Sequence, residues 1–144
     1  MNDKQKAAEK QGIQFKSEFS YPKSESYNAY DIGVIINNLL QNVLEACEKM
    51  TEGNKQIKLH SYVKGSLFFI EVENDFSENI VIEEESGLPV SSKENGKLHG
   101  IGISNIQRCA KKYMGDIDIV ISDTDGRKKF NLTVMMNGKP AAAI

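Results

Sequence analysis

Apolar residues along the chain fall into two periods. Between Asn28 and Met50 they recur at Ile32, Ile35, Ile36, Leu39, Leu40, Val43, Leu44 and Cys47. That i, i+3, i+4, i+7 spacing predicts an amphipathic helix of about six turns. Thr51-Glu52-Gly53-Asn54 follows, with Gly53 suited to a left-handed helix terminus. Elsewhere the period is two. Ile13 to Phe19, Gln56 to Val63, Ser66 to Asn74, Asp116 to Ser122 and Phe130 to Met136 alternate as strands with one buried face. Lys64-Gly65 and Asp123-Thr124-Asp125-Gly126 join two pairs of these runs as hairpin turns. A second helix is expected after Gly102, with Ile103, Ile106, Ala110 and Tyr113 on one face and Gly115 stopping it.

The predicted order is strand, long helix, hairpin, long loop, helix, hairpin. Strands joined by short turns are antiparallel, and helices collected on one side of such a sheet make an α+β two-layer sandwich with a mixed, mostly antiparallel sheet. Residues 1–11 are polar and Ala/Lys-rich and read as a frayed helical turn or tether, residues 12–137 as the domain, and residues 138–144 as a tail without signal. Residues 75–99 are polar and aperiodic, and a long loop of that kind inside a small domain is usually functional or mobile.

Composition narrows the function classes. The 144 residues carry a net charge of −2, without the clustered basic face of a nucleic-acid binder. No apolar run of spanning length occurs, and Met1 to Lys10 lacks the apolar core of a secretory signal. The expectation is a cytoplasmic domain with no direct membrane contact. Cys47 and Cys109 match no metal or redox spacing and read as reduced, core-facing thiols. Glu83-Glu84-Glu85 reads as a solvated stretch, and Lys111-Lys112 as charge favouring a helix C-terminus.

Two groups of residues could carry chemistry. On the long helix, Asn38, Gln41, Asn42 and Glu45 flank the apolar stripe. Taken alone they form a solvated polar face. Asparagine is nevertheless a poor helix former, and its carboxamide oxygen is a neutral hard ligand for a Mg²⁺ that already carries phosphate oxygens. The second group is His99-Gly100-Ile101-Gly102-Ile103-Ser104-Asn105-Ile106. Glycines ahead of a helix let backbone amides approach phosphate, where the helix N-terminus adds positive potential. Neither a Walker loop nor a dinucleotide fingerprint is present.

Together the two groups say more than either does alone. Asn38-Leu39-Leu40-Gln41-Asn42-Val43-Leu44-Glu45-Ala46 resembles the N box of the GHKL superfamily of Bergerat-fold ATP-binding proteins, and His99-Gly100-Ile101-Gly102 resembles its G2 box. The pattern is most similar to the catalytic domains of sensor histidine kinases of the quorum-sensing peptide-receptor type, which tend to show a Val-x-Asn strand end, here Val72-Glu73-Asn74, and Ser/Thr-x-Lys before the glycines, here Ser91-Ser92-Lys93. The resemblance implies a Bergerat ATP-binding fold with ATP and Mg²⁺ as cofactors. Asn42 would supply a metal oxygen and Asn38 would face the phosphates. Asn74 would read the adenine amino group, with Asp75 as the alternative reader. Gly100 and Gly102 would cradle phosphates, Lys93 would meet the terminal phosphates, and His99 would lie beside them. Residues 75–99 would be the ATP lid.

Two departures shape the expected activity. The Asp-x-Gly-x-Gly of the G1 box is replaced by Asn74-Asp75-Phe76-Ser77. ATP hydrolases of the superfamily generally carry glutamate where Asn38 stands, and an amide cannot serve as a general base, which favours transfer to an external nucleophile. The chain has two histidines, His60 in a strand and His99 in the glycine loop, neither in the helical setting of a phosphoacceptor. The expected protein is therefore a histidine kinase catalytic domain acting in two-component signalling. Its partners would be separate dimerisation and histidine-phosphotransfer helices and a downstream response regulator, with the chain a fragment of a longer receptor. The alternatives are a freestanding anti-sigma-type serine kinase of the same superfamily and a degenerate nucleotide-binding or docking module.

Overall fold

A computed structural model describes the backbone of residues 2–22, 26–48, 55–76, 81–82, 89–90, 96–124 and 126–138, and their side chains apart from those of 2–5, 47–48, 81–82, 89–90 and 96–101. The elements are α1 (Asn2–Lys10), β1 (Gln14–Glu18), α2 (Ala29–Glu48), β2 (Gln56–Lys64), β3 (Leu67–Phe76), β4 (Val81–Ile82), β5 (Pro89–Val90), α3 (Gly96–Lys112), β6 (Asp116–Thr124) and β7 (Arg127–Asn137). Five strands form one sheet in the order β1-β2-β3-β7-β6. β1 lies parallel to β2, and the other three pairings are antiparallel. This is the expected mixed, mostly antiparallel α/β sandwich. The single parallel pair follows from connectivity, because the whole of α2 separates β1 from β2.

Alternation along the strands divides the two faces. Ile57 and Leu59 of β2, Phe68, Ile70 and Val72 of β3, and Phe130, Leu132, Val134 and Met136 of β7 are buried against α2 and α3. From the helices, Ile32, Ile35, Leu39, Leu40, Val43, Ile103 and Ile106 complete the core. Burying an aliphatic side chain of this kind contributes about 1.5–3 kcal/mol, so the apolar stripe of α2 fixes which way that helix turns. On the opposite face the pairs are polar or amphipathic. His60 stands across from Glu71 with Nε2 to Oε1 at 3.3 Å, and Tyr62 stacks on Phe69 at a 4.7 Å ring separation.

Four local features differ from the sequence reading. The segment read as a frayed helical turn or tether forms a full nine-residue helix, α1, whose Ala8 is fully buried. A Schellman turn closes it. Ile13 N donates to Ala8 O at 3.0 Å, Gly12 N to Glu9 O at 3.1 Å, and Gly12 sits at φ +75°. β3 extends to Phe76, so Asp75 and Phe76 belong to the sheet and not to a loop. Within the expected lid, Val81 with Val90 and Ile82 with Pro89 form a short antiparallel ladder. The rest of that loop, including Glu83-Glu84-Glu85 and Lys93, lies outside the described residues.

The fourth difference concerns α3. It begins at Gly96, ahead of His99, Gly100 and Gly102, and not after Gly102. Each interior glycine costs a helix about 1 kcal/mol relative to alanine, a penalty that the packing of Ile103 and Ile106 into the core can offset. At its other end the left-handed residue is Met114, at φ +55°, and not Gly115. Gly115 is required for another reason: a Cβ there would collide with the backbone carbonyl of Met135. Gly115 N donates to Ala110 O at 3.0 Å, closing a second Schellman turn.

Candidate functional site

The end of β3 carries the most unusual polar group in the described structure. The strand's pleat turns Asn74 toward the helices, in phase with Ile70 and Val72, and leaves it 2% exposed. Asn74 Nδ2 donates to Asp75 O at 3.0 Å. Its Oδ1 is buried with no hydrogen-bond partner among the described residues. A buried acceptor left unpaired costs about 1–3 kcal/mol, which makes this atom a candidate acceptor for a ligand donor. Asp75, also buried, is engaged differently. Its Oδ2 accepts from Gln56 N at 3.2 Å and so ties the start of β2 to the end of β3. Of the two candidate base readers, Asn74 holds the unused acceptor on the helical face, while Asp75 clamps the sheet.

Helix α2 carries the amides of the first group. Tyr27, just before α2, packs its ring 5.5 Å from Phe68 at the start of β3. From there the helix runs past β3, carrying Asn38 and Asn42 one turn apart along its half-buried edge. Asn38 Nδ2 donates to Val34 O at 2.8 Å, which fixes the carboxamide rotamer. Asn38 Oδ1 then faces α3, where a Cβ on Gly102 would lie 3.5 Å away. The structure thus brings Asn38 and Gly102 together across the α2–α3 contact. Gln41 and Glu45 pair with each other at 2.9 Å on the outer side, as a solvated i, i+4 pair. Of the remaining candidates, His99 and Gly100 have helical backbone in the first turns of α3. A loop cradle ahead of the helix is therefore not what the structure shows for Gly100 and Gly102.

The donor set suits a nucleotide better than a protein-held metal. Among the described residues no three histidine, cysteine, aspartate or glutamate side chains cluster as metal ligands. A Mg²⁺ here would take its oxygens mostly from phosphate and water, and one neutral amide such as Asn42 suits that role. The orphaned acceptor of Asn74 matches an exocyclic amino donor.

A family model described as a GHKL domain matches residues 27–137. The chain belongs to the GHKL domain family. No curated protein matches it. Solved structures show the same fold. The catalytic domain of histidine kinase ThkA superposes with a TM-score of 0.60 at 18% identity, covering 92% of this chain and 86% of that one. The histidine kinase domain of the Erythrobacter litoralis EL346 blue-light activated histidine kinase gives 0.59 at 13% identity, and the Acinetobacter baumannii histidine kinase AdeS 0.56 at 13%. The GHKL chain covers 92% and 94% of itself in these two matches, and spans 56% and 62% of the two longer proteins.

One cluster of this GHKL domain was missed by sequence reasoning. Asp31, only 8% exposed, accepts from Tyr113 Oη at 2.6 Å and from Lys112 Nζ at 3.3 Å. Asn28 caps α2, its Oδ1 accepting from Tyr30 N at 2.8 Å, while Asn28 N donates to Tyr113 Oη at 3.0 Å. The start of α2 is thereby joined to the end of α3. Burial raises the Tyr113 hydroxyl pKa above the usual tyrosine value, and the bond to Asp31 adds to the rise. The thiol of Cys109 is also pushed up, by burial first and by the Asp31 charge second, which marks an inert structural cysteine. The signal available in the sequence was Asn28-x-x-Asp31, a capping-box spacing. The side chain of Cys47 lies outside the described set.

Proposed function

We propose that this GHKL domain binds ATP with Mg²⁺ and presents the γ-phosphate to a histidine on a separate helical dimerisation domain, as a catalytic unit of two-component signalling. Family membership supports the nucleotide. The observation that carries the reading is the unpaired, buried Oδ1 of Asn74. An acceptor so placed takes the amino group of adenine and rejects a carbonyl at the same position. The metal, when bound, supplies charge neutralisation to the phosphates. Asn42 holds it through an amide oxygen, and Asn38 orients the phosphate region from the turn before.

Phosphoryl transfer depends on positioning and charge stabilisation more than on covalent chemistry by the protein. The residues present fit that division of labour. Asn38 has no basic pKa and its Nδ2 is committed to Val34 O, so it cannot activate water. That favours an external histidine over hydrolysis, and it weighs against the anti-sigma serine kinase reading. Lys93 is assigned to the terminal phosphates and His99 to their surroundings. Dimerisation helices, a response regulator, a cytoplasmic location and a peptide-sensing parent receptor belong to the same proposal. So does the absence of nucleic-acid binding, in keeping with the net charge of −2.

Calorimetric titration with a non-hydrolysable ATP analogue and Mg²⁺ tests the reading. Saturable binding that weakens in Asn42→Ala supports it, and no binding at millimolar nucleotide would sink it. Labelled phosphate passing from ATP to an added dimerisation domain separates a kinase from a binding module. The helical setting of Gly100 and Gly102 is the one observation that favours a module without transfer.

A further inference from the structure

We propose that the domain carries a second ligand site, for a neutral aromatic small molecule, at the β2–β3 hairpin end. A cavity of about 430 Å³ opens there between the segment ahead of α2 and the hairpin, walled by Tyr21, Pro22, Tyr27, Tyr62, Val63 and Leu67. It lies away from Asn74, since Leu67 and Asn74 stand near opposite ends of β3. The volume falls in the range that small-molecule sites occupy.

Three features set the ligand class. First, among the described residues no lysine, arginine, aspartate or glutamate lines the cavity, so against that wall a phosphate, carboxylate or ammonium would lose its hydration without a counter-charge. Second, two hydroxyls of the wall, those of Ser61 and Tyr27, are already engaged. Ser61 Oγ accepts from Ser20 N at 3.0 Å and donates to Ser20 O at 3.1 Å, and Tyr27 Oη donates to Met136 O at 3.3 Å. An apolar ring can therefore enter without breaking a hydrogen bond it cannot replace. Third, the floor is rigid. Tyr27 is held by ring contacts to Phe68 at 5.5 Å and Tyr113 at 5.3 Å, and Gly138 passes so close that a Cβ there would meet the Tyr27 ring. A preformed, aromatic-walled cavity binds planar apolar rings with little ordering cost.

The site is independent of the nucleotide reading, and its test uses no nucleotide. Indole is titrated into the ¹⁵N-labelled full chain, with benzoate as the charged counterpart. Saturable shifts confined to Tyr27 and the 61–68 hairpin are expected, with half-saturation near about 1 mM. Val63→Trp, which places a ring at the cavity mouth from a 62% exposed position, is expected to weaken indole about tenfold or more. Val120→Trp, on exposed β6, is expected to leave it unchanged. Shifts that do not saturate, affinity indifferent to Val63→Trp, or benzoate binding as tightly as indole would each overturn the proposal.

Discussion

Replacing Asn74 by leucine should separate function from stability in opposite directions. Leucine keeps the branching of asparagine and exchanges both polar atoms for methyl groups. The change deletes the Nδ2 bond to Asp75 O, a net loss of about 0.5–1.5 kcal/mol. It also deletes a buried, unpaired Oδ1, which relieves about 1–3 kcal/mol. Asp75 O is left without this donor, which offsets part of the relief, and the net is a stability within about 1 kcal/mol of the parent. In urea melts of the nucleotide-free protein the midpoint should stay put or rise, at constant slope. ATP affinity should move the other way. An adenine amino group facing a methyl has no acceptor, and about 1–3 kcal/mol corresponds to roughly 5- to 150-fold weaker binding, read by calorimetry with the ATP analogue. A midpoint lowered by more than about 2 kcal/mol equivalent would show that Asn74 is structural. Unchanged ATP affinity would show that its free acceptor does not meet the base, and would refute the reasoning.

Five further outcomes follow from the geometry. Met114→Gly should raise stability by about 1 kcal/mol, because the left-handed backbone at φ +55° is strained for methionine and free for glycine, whereas Gly115→Ala should destabilise strongly by forcing a Cβ into the Met135 carbonyl; urea melts check both. Gly102→Ala should leave folding intact or improve it by up to about 1 kcal/mol, since its Cβ would sit at an ordinary 3.5 Å from Asn38 Oδ1; a drop in affinity for the ATP analogue would then report close approach of phosphate to this turn. Asn42→Ala should cut affinity for the analogue in Mg²⁺ but much less in EDTA, and equal losses in both would remove its metal role. Tyr113 has a folded pKa above its ordinary 10.0, so as pH rises past 10 the unfolded chain loses that proton first and stability falls. Tyr113→Phe should make the pH dependence of thermal melts above pH 10.0 shallower, with Tyr27, also raised by burial, supplying the remainder.

Much of the architecture was legible from periodicity. The 3.6 period through Ile32 to Leu44 and the alternation through Ile57, Leu59, Ile70, Val72, Leu132 and Val134 each fix a face, because a slip of one residue would expose the whole set. Those faces, with short turns at Gly65 and Gly126, leave few arrangements other than a sheet covered on one side. The residues that resemble the N and G2 boxes stood out for another reason: they depart from what a plain amphipathic helix or loop would choose.

The rest lay in contacts between residues far apart in the chain. Nothing local in MNDKQKAAEK distinguishes a tether from a helix; burial of Ala8 and the turn at Gly12 decide it. Asp31, Lys112 and Tyr113 look like ordinary helix-end charges until α2 and α3 are laid side by side. That Asn74 keeps an unpaired acceptor while Asp75 clamps β2 is invisible in two adjacent letters, since it depends on which face the pleat turns inward and on the reach of Gln56 N. The sequence by itself determined the long helix, the five strands of the main sheet, their buried faces and the family resemblance, because hydrophobic period acts locally. Tertiary structure alone decided which polar groups were satisfied and which were left to bind, because a hydrogen bond needs its partner in space and not in sequence.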